Sequence, residues 1–305
     1  NEITIAPSVA LSENYILIEP GAFEDLCGNP FSGILSPDDW SFSTNLTNYP
    51  GTALGISWYG SGYVRVPDDN SLDLVQNYTI ETWIKLSSFK ALAGIVSKYQ
   101  SSGSNGYVLR LTSDPPYTGI NFDEMTTPNG ILEADKWYHI AAVNDNGNRR
   151  LYLNGELQPL SGTPLAVQAN DDWLGIGIDL DNSLRRFDGL IDEVRIWNVA
   201  RSGDEIRENC HLGLAGNESG LVSYWQCNDS NDRFLFDAVG HNRGTTYFID
   251  WPGSTIPFGL GGANTQIVSS TGTVSFPEAG IIMDFNSKKG TDTIVCVRLD
   301  TVPNT

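Results

Sequence analysis

Apolar residues recur mostly at every second position along this chain, a period of two that predicts strands rather than helices. The stretch FDGLIDEVRIWNVA (Phe187–Ala200) carries the pattern most fully. Leu190, Asp192, Val194 and Ile196 are read as pointing one way, and Ile191, Glu193, Arg195 and Trp197 the other. β-Branched and aromatic residues fill both rows, which suits a pleated, half-buried surface. Similar runs predict strands at Tyr15–Pro20, Trp40–Thr44, Thr52–Trp58, Gly62–Val66, Tyr78–Leu86, Ala93–Tyr99, Gly106–Leu111, Trp137–Val143, Leu151–Leu153 and Gly220–Cys227. Three more follow at Thr271–Phe276, Gly280–Phe285 and Thr293–Arg298. Within Tyr78–Leu86, Ile80, Thr82 and Ile84 are assigned to one face, and Tyr78, Glu81, Trp83 and Lys85 to the other. Trp83 reads as core. Asn146-Gly147 and Asn154-Gly155 are tight-turn signals between strands. Arg201–Asn209 is the exception: Ser202 fits an N-cap, with Asp204 and Glu205 in the first turn. The expected fold class is all-β.

Several positions depart from a bland pattern and carry candidate chemistry. Asp192 sits among apolar neighbours, so its carboxylate needs an arginine, backbone N–H groups, a bound cation or exposure. Ser113–Met125 is irregular and stiffened by Pro115-Pro116. Tyr117 and Asp123 in it could offer a saccharide an aromatic face beside an acceptor, since sugar C–H faces stack on rings. The alternative is a structured turn whose aromatics face inward. Ala169–Gly189 holds Asp171, Asp172, Asp179, Asp181, Asn182 and Trp173, the richest group of hard oxygen donors in the chain, although EF-hand spacing is missing. Trp173, Asp179 and Asp181 are therefore candidate ligand contacts. His139 lies in an apolar strand and reads as a hydrogen-bonded core histidine.

Composition narrows the function. The 305 residues leave room for more than one domain. A formal charge of −19 sets the chain against polyanions, so nucleic acid is excluded as a partner. No phosphate-binding glycine loop is present, and no apolar run is long enough to insert in a bilayer. Cys27, Cys210, Cys227 and Cys296 form no CxxC pair, and the histidines are scattered, so zinc-site spacing is missing. No signal peptide is visible, but the chain starts mid-pattern, so an export signal could lie outside it.

Four pieces in order carry a resemblance: GYVRVPDDNSLDL (Gly62–Leu74) with YTIETWIKL, KWYHIAAV (Lys136–Val143) with RRLYLNGEL, FDGLIDEVRIWN, and RSGDEIREN. They are similar to the laminin-G-like, concanavalin A-like domains of bacterial surface proteins, whose closing strand reads roughly F-x-G-x-I-D-E-V-R-I-W/Y-N. The likeness spans about residues 46–254 and implies a jelly-roll antiparallel sandwich. Residues 1–45 resemble the second half of a bacterial Ig-like domain, with GAFEDLCGNP before the strand WSFST. Such a domain usually takes about 100 residues. Residues 255–305 then either start a further domain or pack with 1–45.

The resemblance implies a secreted or cell-surface module that binds a glycan or another extracellular ligand, within a longer chain carrying flanking domains. It implies loops shaped by Ca²⁺, with Asp68, Asp188 and Asp192 as candidate metal ligands, and a disulfide between Cys210 and Cys227. Glycosidases of this architecture place carboxylates at E-x-D-x-E or E-x-D-x-x-E spacing on one strand face. That run is not found here, so a non-catalytic role is expected. A structural spacer and a protein–protein adhesion module remain the alternatives.

Overall fold

A computed structural model describes residues 51–57, 61–101, 106–229 and 233–256 in full, together with several short flanking strands. The chain divides into two compact units, one of Asn1–Pro50, His211–Gly213 and Pro257–Thr305, the other of Gly51–Cys210 and Leu214–Ile256. In the first, β1 (Asn14–Tyr15) pairs antiparallel with β2 (Ser41–Phe42). The Ig-like motif assigned to residues 1–45, and Cys27 with it, lies otherwise outside the described residues.

The second unit is an antiparallel sandwich, the all-β architecture that the alternation predicts. Its strands run in chain order as β3 (Leu54–Ile56), β4 (Tyr63–Val66), β5 (Asn77–Leu86), β6 (Gly94–Ser97), β7 (Val108–Leu111), β8 (Ile120–Phe122), β9 (Met125–Thr126), β10 (Trp137–Asp145), β11 (Asn148–Leu153), β12 (Glu156–Gln158), β13 (Leu174–Ile176) and β14 (Gly189–Trp197). The helix α1 (Gly203–Asn209), β15 (Leu221–Trp225), β16 (Phe234–Leu235) and β17 (Gly244–Tyr247) follow. The remaining strands, β18 (Asn264–Val268), β19 (Gly272–Phe276), β20 (Ile281–Phe285) and β21 (Asp292–Cys296), belong to the first unit and pair as β18 with β21 and β19 with β20.

One sheet runs β12-β11-β10-β5-β14-β15, with β3 also on β14; the other runs β16-β17-β4-β13-β6-β7-β8-β9. Their facing sides close on one core that includes Val64, Val66, Tyr78, Ile80, Ile84, Leu174, Ile176, Ile191, Val194, Ile196 and Trp225, all buried. Each such aliphatic or aromatic side chain contributes roughly 1.5–3 kcal/mol by leaving water. Asn146-Gly147 and Asn154-Gly155 turn β10 into β11 and β11 into β12, both residues of each pair at positive φ, as a two-residue hairpin turn requires.

The structure corrects the sequence reading in three places. Tyr78 shares its face with Ile80 and Ile84 and enters the core rather than joining Glu81 and Trp83. In β14 the alternation breaks: Glu193 takes φ 52° and the register on β5 shifts between Asp192 and Arg195. This bulge puts Ile191 and Val194 on the same, inward side, where strict alternation separates them. Third, Cys210 and Cys227 are free buried thiols, not a disulfide. Cys227 packs in the central core, whereas Cys210 closes α1 as its C-cap and takes the Trp83 indole N–H on its carbonyl at 2.9 Å. Burial pushes the Cys210 thiol up to about 12.

Candidate functional site

The carboxylates that the sequence offers as ligand contacts are mostly committed to the interior. Asp123 is fully buried, accepting Arg149 Nε at 2.7 Å, the Val108 N–H at 2.9 Å and the Tyr78 hydroxyl. Burial raises its pKa, and the Arg149 guanidinium opposes the shift. Asp179 is also fully buried, between Arg110 Nη1 at 2.7 Å and Arg185 Nη1 at 3.1 Å. Asp181 is partly exposed but holds the Ser101 N–H at 2.9 Å and Arg185 at 3.0 Å. Burial would raise the Asp181 carboxyl, yet those donors hold it below its ordinary value. Tyr117, half-buried at φ 65°, closes a turn back to Asp114 after the cis Pro115–Pro116 bond. Asp123 and Asp179 therefore brace loops from inside and are not reached by a ligand from solvent. The sequence around Asp123 or Asp179 gives no sign of the distant Arg149 or Arg110 that claims it.

The expected metal ligands do not converge. Asp68 accepts the Lys98 ammonium at 2.8 Å. Asp188 accepts the Ser88 hydroxyl, and its carbonyl accepts the Ser87 N–H at 2.9 Å. Asp192, fully buried, takes the Ser254 hydroxyl at 2.5 Å and the Glu193 N–H at 2.8 Å, the neutral donors that its burial calls for. Among the described residues no three His, Cys, Asp or Glu side chains gather as a metal needs. These aspartates do not fit a common calcium site.

Trp173 is the sequence candidate around which other groups do assemble. On β4, Val64 and Val66 face the core, so alternation turns Tyr63 and Arg65 outward. Register places Tyr247 and Thr245 of β17 beside Tyr63 and Arg65, and Gly175 of β13 beside Arg65 on the other flank. Phe234 of β16 extends the row next to Thr245. Tyr63 and Tyr247 stack with centroids 4.8 Å apart and planes at 9°, and Trp173 leans on Tyr63 at 5.8 Å and 40°. Two cations join the ladder: the Arg65 guanidinium lies 5.2 Å from the Trp173 ring and that of Arg186 4.9 Å from Tyr63. Gly175 permits the arrangement, because a Cβ there would come within 2.8 Å of Leu180 and 3.3 Å of the Trp173 ring. The rings are half-buried and Arg65 is exposed, so this strip of the outer sheet face meets solvent.

Such a strip can do two things chemically. Ring faces and edges give saccharide C–H groups a place to pack. A guanidinium stacked on a ring keeps its N–H fork in plane for hydroxyl or anionic oxygens, with less freedom to lose on binding. Of this strip the sequence reading held Trp173 and the strand Gly62–Val66, without assigning a face to Tyr63 or Arg65. Tyr247 and Arg186 were missed, because they reach the strip through pairing far along the chain. Elsewhere an open cleft of about 560 Å³ lies along β3 and the start of β14 and is lined by Ser57, Ser87, Asp188, Asp250 and Trp251 among others.

Comparison with known proteins agrees with the architecture. Residues 59–207 match the laminin-G-type family model described as the concanavalin A-like lectin/glucanases superfamily. A candidate carbohydrate-binding protein from Bacteroides ovatus is similar in structure, with a TM-score of 0.54 and 21% identity over 72% of this chain and 68% of that one. At that identity the likeness establishes the fold. A heptameric SAP-like pentraxin from Limulus polyphemus gives 0.46 and 15% identity over 68% of this chain and 97% of its own. Domain 4 of the extracellular arabinanase AbnA from Geobacillus stearothermophilus, solved with arabinotriose, gives 0.40 and 18% identity over 51% and 74%.

Proposed function

We propose, from a chain whose residues 59–207 belong to the concanavalin A-like lectin/glucanases superfamily, that this protein is a non-catalytic, extracellular carbohydrate-binding module. Its saccharide site is the outer-face strip of Tyr63, Trp173 and Tyr247 with Arg65 and Arg186. The observation that carries the reading is the gathering of these rings, from three strands or their ends, on a face that meets solvent. A contiguous outward aromatic patch marks an interaction surface, and saccharide C–H surfaces are suitable cover for it. A non-catalytic role is favoured by the buried carboxylates of Asp123, Asp179 and Glu81, each spent on an arginine rather than aimed into a cleft. Calcium has no part in the reading at Asp68, where the Lys98 ammonium stands among the oxygens.

The test is binding of soluble polysaccharides by affinity electrophoresis and calorimetry, with Trp173→Ala and Tyr247→Ala beside the wild type. Removing a stacking ring is expected to weaken binding by about tenfold, the equivalent of roughly 1–1.5 kcal/mol for a ring contact. Binding that survives both substitutions in folded variants moves the site away from this strip. A chain that binds none of the glycans favours the spacer or protein–protein adhesion role.

A further inference from the structure

We propose that the strip recognises an anionic saccharide, a glycan bearing carboxylate or sulfate groups, through the guanidiniums of Arg65, Arg186 and Arg243. The inference rests on the saccharide reading above and names the class of sugar. Its basis is how this chain spends its arginines. Away from the strip, each arginine among the described residues reaches a carboxylate: Arg110, Arg149, Arg150, Arg185, Arg195, Arg201 and Arg207 are all ion-paired. That is the ordinary state in a chain with 37 acidic and 18 basic residues. Arg65, Arg186 and Arg243, with Arg233 beside Phe234, form no such pair among the described residues, and all four fall on or next to the strip.

Three of them are stacked instead. Arg65 lies on Trp173, Arg186 on Tyr63 at 4.9 Å, and Arg243 on Phe234 at 4.1 Å. The rows bring them together: Phe234 registers with Thr245, Thr245 with Arg65, and Tyr247 with Tyr63. A ring satisfies the face of a guanidinium and leaves the in-plane donors unspent, apart from one Arg186 N–H given to the Ser61 carbonyl at 2.8 Å. Bidentate pairing with a planar carboxylate, or with two sulfate oxygens, is what such a fork suits best. The neighbouring acids do not neutralise the cations. Asp68 is held by Lys98, and Asp172, one residue before Trp173, accepts Gln100 at 3.0 Å. In a protein of net charge −19, cations kept clear of carboxylates on an aromatic face are an exception with a chemical use.

The experiment compares the intact chain on neutral, carboxylated and sulfated polysaccharides: dextran and arabinan, polygalacturonate and hyaluronan, and heparin. Arg65→Gln and Arg65→Lys are measured alongside Trp173→Ala, and thermal melts check folding. The expected result is binding to a carboxylated or sulfated polymer, weakened about tenfold or more by Arg65→Gln, which loses the charged hydrogen-bonding fork. Arg65→Lys keeps the charge but not the fork and should recover only part of the loss. Binding should fall as salt rises. Preference between the carboxylated and sulfated arms identifies the anion. Binding to neutral glycans that Trp173→Ala abolishes and Arg65→Gln leaves intact would overturn this inference while sparing the saccharide reading. Equal binding of polyphosphate would also overturn it, by showing charge attraction without sugar recognition. No binding to any polymer would end both.

Discussion

Lys98 is 1% exposed, and its ammonium lies 2.8 Å from Asp68 Oδ1, 3.0 Å from Asp73 Oδ1, 2.5 Å from the Asn170 carbonyl and 3.1 Å from Asn170 Oδ1. Oxygens in that number and of that hardness are what a calcium ion recruits. Here a side-chain cation takes the place, tying the Pro67–Leu74 turn to the segment before Trp173. Lys98→Met should cost about 1–3 kcal/mol, because the ammonium's hydrogen bonds are lost while Asp68 and Asp73, still open to water, take up solvent in its place. Chelator should leave the wild-type melt unchanged; a drop in Tm with EDTA would mean that a metal shapes these loops after all. Glu193 poses the opposite problem. Buried beside the Tyr224 hydroxyl and 3.3 Å from Arg195 Nη2, its carboxyl is pushed up to about 7 by burial, against the pull of Arg195 and Tyr224. The folded chain thus keeps a proton that the unfolded chain releases near 4.5, so this group costs stability as pH rises from about 4.5 to 7. Asp192, raised by burial and by Glu193, acts in the same direction. His139, lowered by burial although Glu81 pulls it up, acts in the other. Glu193→Gln removes the first effect together with the part of the Asp192 shift that Glu193 causes, so the unfolding free energy of the wild type relative to the variant should decline across that pH window. A difference that stays flat with pH would refute the assignment.

Among the elements, α1 shows how little is needed where tertiary partners wait. Seven residues are too few to hold a helix alone. Ser202 accepts the Glu205 N–H at 3.2 Å, and Glu205 accepts the Ser202 N–H at 2.7 Å, a reciprocal capping box that satisfies two orphan donors. Ile206 then packs on Ala141, Val143 and Tyr152, the outward row of β10 and β11. Just before the helix, Arg201 donates to Glu81 at 2.9 Å and lies 4.1 Å from the Trp197 ring. Ser202→Ala should therefore cost about 1 kcal/mol, read as a lower Tm with unchanged saccharide binding. This cap was legible in the sequence because cap, first turn and apolar contact lie within a few residues. So were the Asn-Gly hairpins and the strand Gly62–Val66, though not which face Tyr63 and Arg65 take. The bulge in β14 was not, since an acidic pair in a strand reads equally as alternation until its partners are known. Nor was the role of Asp123 and Asp179: Arg149 lies 26 residues from the first, and the second takes Arg110 from 69 residues away as well as the nearby Arg185. Local chemistry declares elements; which charge meets which is decided by pairing across the sandwich, and a single sequence holds no record of that.

At the scale of the whole molecule, the sandwich closes on itself where its chain enters and leaves. Ala53 N–H reaches the Pro252 carbonyl at 2.9 Å, Gly55 and Asp250 exchange bonds at 2.7 and 3.0 Å, and Ser254 N–H reaches Gly51 at 2.9 Å. The two ends of the unit thus lie side by side, zipped to one another rather than left as free edges. Ser254 also satisfies the buried Asp192, and Trp137 donates to Thr255 at 2.9 Å, so the last residues are anchored on the central strands. The central hydrophobic cluster draws all its members from residues 54–251, and the aromatic strip lies within the same span. A domain with its own core and adjacent ends can be separated from what flanks it. A fragment of residues 51–256 should therefore unfold in one cooperative transition and bind the same polysaccharides as the full chain, with affinity within about twofold, less than half the 1.4 kcal/mol that a tenfold change represents. A fragment that aggregates, or folds but loses binding, would show that residues outside that span complete the sandwich or the site.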